Sequence, residues 1–324
     1  MQGKLLAAVD IGGTKIYTVI ADQNYNILAK KRFTTPAAAD PQSIISEIAS
    51  SVQELLKNVK AEPEDLSAAG ICVAGYYDWQ RKILCNSPNL PQLNNLPLEE
   101  VIAKELGVPV LVENDANAAA VGETHFGAGK GFRDVIFVTV STGIGSGLVL
   151  DGRLYRGSHG FSGEIGHMTV QPGGLLCGCG RHGCLETVSS GKAMACSARE
   201  AIKRGEKTVL AKAANRGGRI TAAEVFAAAA EGDQVAAGIL DDAIRYLGLC
   251  LVNTINLLNP AVIIVGGGVA EAGEAFFLPL QAIIAGDAMA CTSDPVLLKK
   301  AELGAEAGVF GMLCLLKEHL RICD

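Results

Sequence analysis

The chain has 324 residues, enough for two domains at roughly 100–200 residues each and enough to need no disulfide framework, and 49% hydrophobic against 19% charged residues excludes a disordered chain. Its 28 basic and 34 acidic side chains leave a formal charge of −6 with no Lys/Arg run, so no nucleic-acid partner is expected. No apolar stretch approaches the ~18 residues of a membrane span, and Met1-Gln2-Gly3-Lys4 leads straight into a strand-like run, so neither a membrane span nor a cleaved leader is expected and the compartment expected is the cytoplasm.

Three strands open the chain, Lys4–Val9, Lys15–Ala21 and Ile27–Thr34, joined by the turns Asp10-Ile11-Gly12-Gly13-Thr14 and Asp22-Gln23-Asn24-Tyr25-Asn26. Pro41 begins a helix pattern in which Ile44, Ile45, Ile48, Val52, Leu55, Leu56 and Val59 recur at three- and four-residue spacing. Strand 68–74 follows, then an irregular Asn- and Pro-rich stretch over 75–97, a short helix over 98–106, strand 108–113 and an alanine-rich helix from about Ala116. Strands 134–140 and 148–150 bracket Ser141-Thr142-Gly143-Ile144-Gly145-Ser146-Gly147, which echoes the first strand, turn and strand and reads as an internal duplication. From Gly191 the pattern is largely helical, with Thr221-x-x-Glu224 as a capping box. Strand 261–265 interrupts it and runs into Gly266-Gly267-Gly268; 304–320 is the last helix. No low-complexity linker is present, so a domain boundary is expected in a tight crossover near Asn114.

Glycine, at 38 residues, exceeds the ~7% of an average chain. Three glycine turns each follow an apolar strand: Gly12-Gly13, Gly143–Gly147 and Gly266–Gly268. Backbone N–H groups with no Cβ in the way form a nest suited to phosphate, although any one such turn also reads as an ordinary hairpin. Asp10, at the end of the first strand, is of the kind that holds Mg²⁺ through water. There is no Gly-x4-Gly-Lys-Ser/Thr P-loop. The one Gly-x-Gly-x-x-Gly match, Gly178–Gly183, follows no strand and is no dinucleotide signature.

Seven of the ten cysteines (Cys72, Cys85, Cys196, Cys250, Cys291, Cys314, Cys323) are scattered and read as reduced core thiols. The other three, Cys177, Cys179 and Cys184, follow His167 closely, and Cys₃His is a closed structural zinc set. A redox dithiol is the rival reading, but Cys177-x-Cys179 lacks the usual two-residue spacing. Glu164 precedes His167 by three residues, so both would face one side of a helical turn; a di-iron site would need a second Glu-x-x-His, and no other histidine here has one. Glu186 lies two residues after Cys184, so metal binding would gather two carboxylates and an imidazole, a set suited to sugar hydroxyls. Taken singly, each Glu reads as a solvated surface charge.

Glu113-Asn114-Asp115-Ala116-Asn117 sits where a strand meets a helix. The plain reading of Asp115 is an N-cap. The functional reading is a general base for an attacking hydroxyl, held ionised by the helix N-terminus; in a loose phosphoryl-transfer transition state such a base mainly orients the nucleophile.

Asp10-x-Gly12-Gly13-Thr14-Lys15, Glu113-Asn114-Asp115-x-Asn117, Thr142-Gly143-x-Gly145, Gly163-Glu164-x-Gly166-His167, Cys177-x-Cys179-Gly180-x-x-Gly183-Cys184-x-Glu186 and Gly266-Gly267-Gly268 occur in that order. On these motifs, from about residue 4 to 315, the chain resembles the ROK family of sugar kinases and repressors, and within it the bacterial ATP-dependent glucokinases. The resemblance implies an α/β, two-domain actin-like ATPase/hexokinase fold with ribonuclease-H-like domains, a central cleft and a Cys₃His zinc loop. Residues 1–114 with 309–324 would form the small domain and 115–308 the large one, the last helix packing back on the first domain. It implies transfer of the γ-phosphoryl of ATP to the 6-hydroxyl of D-glucose with Mg²⁺ and a structural Zn²⁺, in a homodimer or homotetramer; N-acetylmannosamine, N-acetylglucosamine or fructose are the alternative acceptors.

Residue by residue, the resemblance makes Asp115 the catalytic base and Asp10 the magnesium-side carboxylate. Gly12, Gly13, Thr14, Lys15, Thr142, Gly143 and Gly145 would line the phosphates, with Gly266, Gly267 and Gly268 near the adenosine. Gly75, Asn89, Asn114, Asp115, Glu164, His167 and Glu186 would hold the sugar. His167, Cys177, Cys179 and Cys184 would hold zinc, His167 serving zinc through one ring nitrogen and sugar through the other. Two departures stand out: Ala74-Gly75-Tyr76-Tyr77-Asp78-Trp79 replaces the usual Pro-Gly and small or apolar residue, and Ser141 stands where Gly is common. The Tyr pair reads as packing or as a wall beside C2 of the sugar, together with Phe161. A repressor of this family would carry an N-terminal winged-helix module, for which Asp10 comes too early; polyphosphate-dependent relatives tend to lack the zinc motif.

Overall fold

The computed structural model describes residues 5–36, 40–215, 220–289 and 296–320. Its strands are β1 (Leu5–Ile11), β2 (Lys15–Ala21), β3 (Ile27–Thr34), β4 (Leu66–Val73), β5 (Tyr76–Asp78), β6 (Ile83–Asn86), β7 (Val110–Asn114), β8 (Val135–Val140), β9 (Ile144–Leu150), β10 (Arg153–Leu154), β11 (Val262–Gly266) and β12 (Leu297–Lys300). Its α-helices are α1 (Pro41–Asn58), α2 (Leu98–Leu106), α3 (Asp115–Phe126), α4 (Glu186–Ser189), α5 (Gly191–Lys203), α6 (Leu210–Asn215), α7 (Ala222–Ala230), α8 (Gln234–Leu258), α9 (Glu274–Asp287) and α10 (Ala307–His319).

Two five-stranded sheets follow one plan, β3-β2-β1-β4-β7 and β10-β9-β8-β11-β12. In the first, β1–β2 and β2–β3 are antiparallel, while β4 runs parallel to β1 and β7 parallel to β4. In the second, β9–β10 is antiparallel, and β11 runs parallel to β8 and β12 to β11. The duplication read from the glycine turns is therefore a duplication of whole sheets, and the two-sheet α/β architecture is the expected one.

Contacts divide the chain into two compact units, Met1–Arg133 with Gly147–Gly163 and Glu302–Asp324, and Asp134–Ser146 with Glu164–Ala301. The first unit thus runs past the crossover expected near Asn114. Helix α3 belongs to it because α3 and α10 pack backbone to backbone: a Cβ on Gly311 would lie 1.7 Å from the Ala118 carbonyl oxygen. Within this unit the period of two along β1 sends Leu5, Ala7, Val9 and Ile11 into a core shared with Ile44, Ile48 and Val52 of α1 and Ile102 of α2. The alternate residues face α10, which brings Asp10 level with Cys72 of β4, and a Cβ on Gly308 of α10 would lie 3.0 Å from the Cys72 sulfur and 3.6 Å from the Asp10 carboxyl. Helix α1 starts as its sequence requires, with Pro41 in its first turn and the Asp40 carboxylate accepting from the Ser43 N–H at 3.0 Å. The Thr221–Glu224 capping box is formed.

Three differences from the sequence reading have physical causes. The stretch 75–97 is not wholly irregular: β5 and β6 pair antiparallel, and the Asp78 carboxylate accepts from the Gln80 and Arg81 N–H groups to start the turn between them. Strand β9 begins at Ile144, inside the expected glycine turn, because Gly147 serves close approach rather than turning; a Cβ there would lie 2.7 Å from the Ala116 carbonyl oxygen. Edge strands β10 and β12 are too short to show a period. Cys72, Cys250 and Cys314 are buried free thiols, Cys85 and Cys196 are half-buried, and Cys291, Cys323 and Lys4 lie outside the described residues. Among the described residues no helix is long and apolar enough to cross a membrane.

Candidate functional site

In the first unit the predicted residues collect at the C-terminal ends of β1, β4 and β7, where α/β sheets present their ligand groups. The turn after β1 closes on itself: the Gly12 N–H donates to the Lys15 carbonyl at 3.0 Å and the Thr35 hydroxyl to the Gly12 carbonyl at 2.7 Å. Asn89 is brought against it, since a Cβ on Gly13 would meet the Asn89 Cβ at 2.7 Å. Lys15 is exposed at the start of β2. Gly75 has φ +142°, and a side chain there would strike the Asn86 carbonyl oxygen at 2.2 Å, so the turn after β4 requires glycine. Its own carbonyl accepts from Asn114 Nδ2 at 3.1 Å.

The cap of α3 is Asn114, not Asp115: Asn114 Oδ1 accepts from the N–H groups of Ala116 at 2.9 Å and Asn117 at 3.0 Å. That leaves Asp115 for other work, its Oδ1 accepting from the Ala116 N–H at 2.9 Å. The expectation that the helix N-terminus sets its ionisation is corrected. Burial is the larger effect and raises its pKa, opposed by the Ala116 and Asp115 N–H groups. Asp10 is pushed up to about 7, first by burial and then by the charge of Asp115, against the lowering effects of the Cys72 thiol and of Arg32. A buried carboxylate that feels the charge of a second one, with oxygen donors only, suits a hard divalent cation, which would return Asp10 to its ionised form.

In the second unit the turn from Ser141 to Gly143 is pinned by the Ser141 N–H to the Gly143 carbonyl at 2.9 Å and by the Gly191 N–H to the Ser141 carbonyl at 2.8 Å. Glu186, at the start of α4, lies directly on it. Its Oε2 accepts from the Ile144 N–H at 3.0 Å, and a Cβ on Gly143 would come within 2.4 Å of that oxygen. The Gly163–His167 turn packs on the same place, where a Cβ on Gly166 would meet the Ile144 carbonyl oxygen at 2.2 Å. The Gly266–Gly268 turn is tied to the end of β8 by the Val269 N–H to the Val140 carbonyl at 3.0 Å. Thr142, Gly143, Glu164, His167, Glu186 and the last glycine turn are thus neighbours, whereas Gly145 lies within β9.

His167, Cys177, Cys179 and Cys184 offer ligand atoms all within 4.8 Å of one another. Cys179 Sγ and Cys184 Sγ are 3.6 Å apart, and His167 Nδ1 is 3.5 Å from Cys177 Sγ. Sulfur ligands ~2.3 Å from a tetrahedral ion lie ~3.8 Å apart, so the set fits a closed four-coordinate metal site. The loop folds because Gly183, at φ +73°, lets the Gln171 carbonyl approach within 1.8 Å of where a Cβ would be. His167 Nε2 is turned to Glu164, 4.0 Å from its Oε2.

Sequence reasoning gave no role to three groups that support these residues. Glu113 is buried behind Asn114, Arg156 pairs with it, and the Cys72 thiol hydrogen-bonds Asp10. Only the position of Glu113 inside a recognisable motif signalled any of them. Tyr77 is a packing residue, buried with its hydroxyl donated to Glu99 Oε2 at 2.9 Å. Tyr76 stacks edge-on against Phe161, ring centres 6.2 Å apart.

The ROK family profile matches residues 6–319. A glucokinase of Streptomyces coelicolor is 36% identical over 97% of this chain and 98% of its own. A ROK family glucokinase from Streptomyces griseus, solved in complex with glucose and AMPPNP, superposes with TM-score 0.79 at 35% identity, covering 96% of this chain and 98% of that one. A ROK hexokinase from Thermus thermophilus superposes with TM-score 0.82 at 31% identity over 98% of this chain and 100% of its own. With its motifs gathered at the ends of two duplicated sheets and its whole length matched, the chain belongs to the ROK family.

Proposed function

We propose that the protein is an ATP-dependent glucokinase, transferring the γ-phosphoryl group to the 6-hydroxyl of D-glucose and releasing ADP. The observation that carries this reading is the pair Asp115 and Asp10. Asp115 is freed from capping by Asn114 and has a raised pKa, which suits a base that takes the hydroxyl proton as the O6–phosphorus bond forms and the bond to ADP breaks. Asp10 supplies the carboxylate beside which Mg²⁺, held largely by water, would neutralise phosphate charge.

Gly12, Gly13, Thr14, Lys15, Thr142, Gly143 and Gly145 are assigned to the phosphates and Gly266–Gly268 to the adenosine. Gly75, Asn89, Asn114, Glu164, His167 and Glu186 are assigned to sugar hydroxyls. Zinc at His167, Cys177, Cys179 and Cys184 is structural in this reading. His167 Nδ1, which lies beside Cys177 Sγ, would be the nitrogen to hold the metal, leaving Nε2 toward Glu164 to meet a sugar hydroxyl. The relatives named above support glucose as acceptor and ATP as donor.

The test is a coupled ADP-release assay over glucose, mannose, fructose, N-acetylglucosamine and N-acetylmannosamine with ATP and Mg²⁺. Glucose should give the highest kcat/KM. A higher value for either N-acetyl sugar would overturn the acceptor while leaving the kinase chemistry in place.

A further inference from the structure

Glu113 carries a carboxylate that the phosphoryl-transfer reading does not use, although its side chain is only 1% exposed. One of its oxygens is bound to the start of α3 and the other to Arg156. Its Oε1 accepts from the Asn114 N–H and from Asn117 Nδ2, both at 3.0 Å, and its Oε2 accepts from Arg156 Nε at 2.7 Å. Arg156 is 25% exposed and its guanidinium lies 4.1 Å over the Trp79 ring. Trp79 is itself tied to the segment carrying Arg156, its backbone N–H donating to the His159 carbonyl at 3.3 Å. The chain of contacts then closes: Asn114 Nδ2 donates to Gly75, at the other end of the β5 strand that leads to Trp79. All of these residues belong to the first unit.

We propose that Arg156 and Glu113 form a positioning pair for the catalytic base: Arg156, stacked on Trp79, fixes the Glu113 carboxylate, and Glu113 fixes the first turn of α3 from which Asn114 and Asp115 project. Arg156 suits the task because a planar guanidinium stacks on an indole and keeps a directed N–H for the carboxylate, which an ammonium does not. Exposed ion pairs contribute little. Here one partner is buried, and loss of the other leaves an uncompensated carboxylate that must turn away or take a proton. Either response shifts Asn114 and Asp115, and a misplacement of about 1 Å at a reacting group costs on the order of 10²-fold in rate.

The inference rests on Asp115 being the base, so Asp115→Asn is assayed alongside. Arg156→Gln and Glu113→Gln should each lower kcat by about 10- to 100-fold with KM for ATP within about twofold, and Arg156→Lys should fall between them and the parent. Melting curves of the same samples separate position from stability. A folded Arg156→Gln that melts lower yet keeps the parental kcat shows a purely structural pair and overturns the proposal. If Arg156→Gln does not fold, Glu113→Gln and Arg156→Lys carry the test, and parental kcat in both overturns it. A normal kcat in Asp115→Asn would instead remove the base assignment on which the pair depends.

Discussion

Asp115→Asn tests the proposed base apart from helix capping, because Asn114 and not Asp115 caps α3. The N–H groups of Ala116 and Asn117 are satisfied by Asn114 Oδ1, and the amide oxygen of Asn at 115 can still accept from the Ala116 N–H, as Asp115 Oδ1 does at 2.9 Å. The substitution therefore spares the ~1 kcal/mol that loss of a cap would cost. It removes the only proton acceptor assigned to the hydroxyl, which should lower kcat by at least ~10²-fold, equivalent to about 2.7 kcal/mol of transition-state stabilisation. Burial raises the folded pKa of Asp115 above its unfolded value, so ionising it opposes folding, and stability falls as pH rises through the interval between those two values. Asn escapes that penalty: the variant should melt no lower than the parent at pH 8, and any advantage should shrink toward pH 4. Asn114→Ala is the contrasting control, since it loses two cap bonds and the bond to Gly75 and should melt lower. The readouts are coupled ADP release with glucose and differential scanning calorimetry. Near-parental turnover in Asp115→Asn would refute the assignment of the base.

Asp10, at about 7 when folded against 3.8 when unperturbed, should make the magnesium-free protein less stable as pH rises from about 4 to 7 and level off above. Asp10→Asn should remove that slope, up to about 4 kcal/mol, in melts across this range, and an unchanged slope would contradict the placement of Asp10. Elemental analysis should find about one zinc per chain. Cys179→Ser should lower both Tm and glucose affinity, because the loop would no longer hold His167 beside Glu164; fully active, metal-free protein would overturn this. Gly143→Ala puts a Cβ 2.4 Å from Glu186 Oε2 and should expel it from the Ile144 N–H. Losing a hydrogen bond to a charged group, ~1.5–3 kcal/mol, should raise KM for glucose by about tenfold or more, and an unchanged KM would remove Glu186 from sugar binding.

Elements with a long apolar period were legible in the sequence. Helix α1 announces itself through Pro41 and the Ile44-to-Leu56 stripe, and β2 and β3 fall at the residues expected, because period and punctuation agree over seven or more positions. The Cys₃His cluster was legible because soft ligands at close spacing have few other uses. The β5–β6 hairpin was not, since three and four residues carry no period and its turn is made by one Asp side chain. Nor was Arg156: a lone arginine gives no sign that it reaches a glutamate 43 residues earlier. The cap of α3 was misassigned by one position because Asn and Asp are equally good caps, and only the bonds from Ala116 and Asn117 decide between them.

Glycine shows most clearly why a composition signal underdetermines a site. The duplicated sheets invite one meaning for the glycines after β1 and after β8, yet the two turns use them differently. After β1, Gly12 closes the turn through its own N–H, and Gly13 admits Asn89. After β8, Gly143 makes room for a carboxylate, and Gly147, within β9, makes room for the backbone of α3. A nest for phosphate, a seat for Glu186 and a helix crossing all select the same missing Cβ, so the letter alone cannot separate them. The partner separates them. Gly143 faces a carboxylate proposed to hold the sugar, so substitution there should act on ligand affinity; Gly147 faces a backbone carbonyl of its own unit, so substitution there should act on folding. Gly143→Ala should therefore act on glucose affinity through Glu186, and Gly147→Ala, at 2.7 Å from the Ala116 carbonyl oxygen, should act on the packing of α3 and lower Tm before it touches KM.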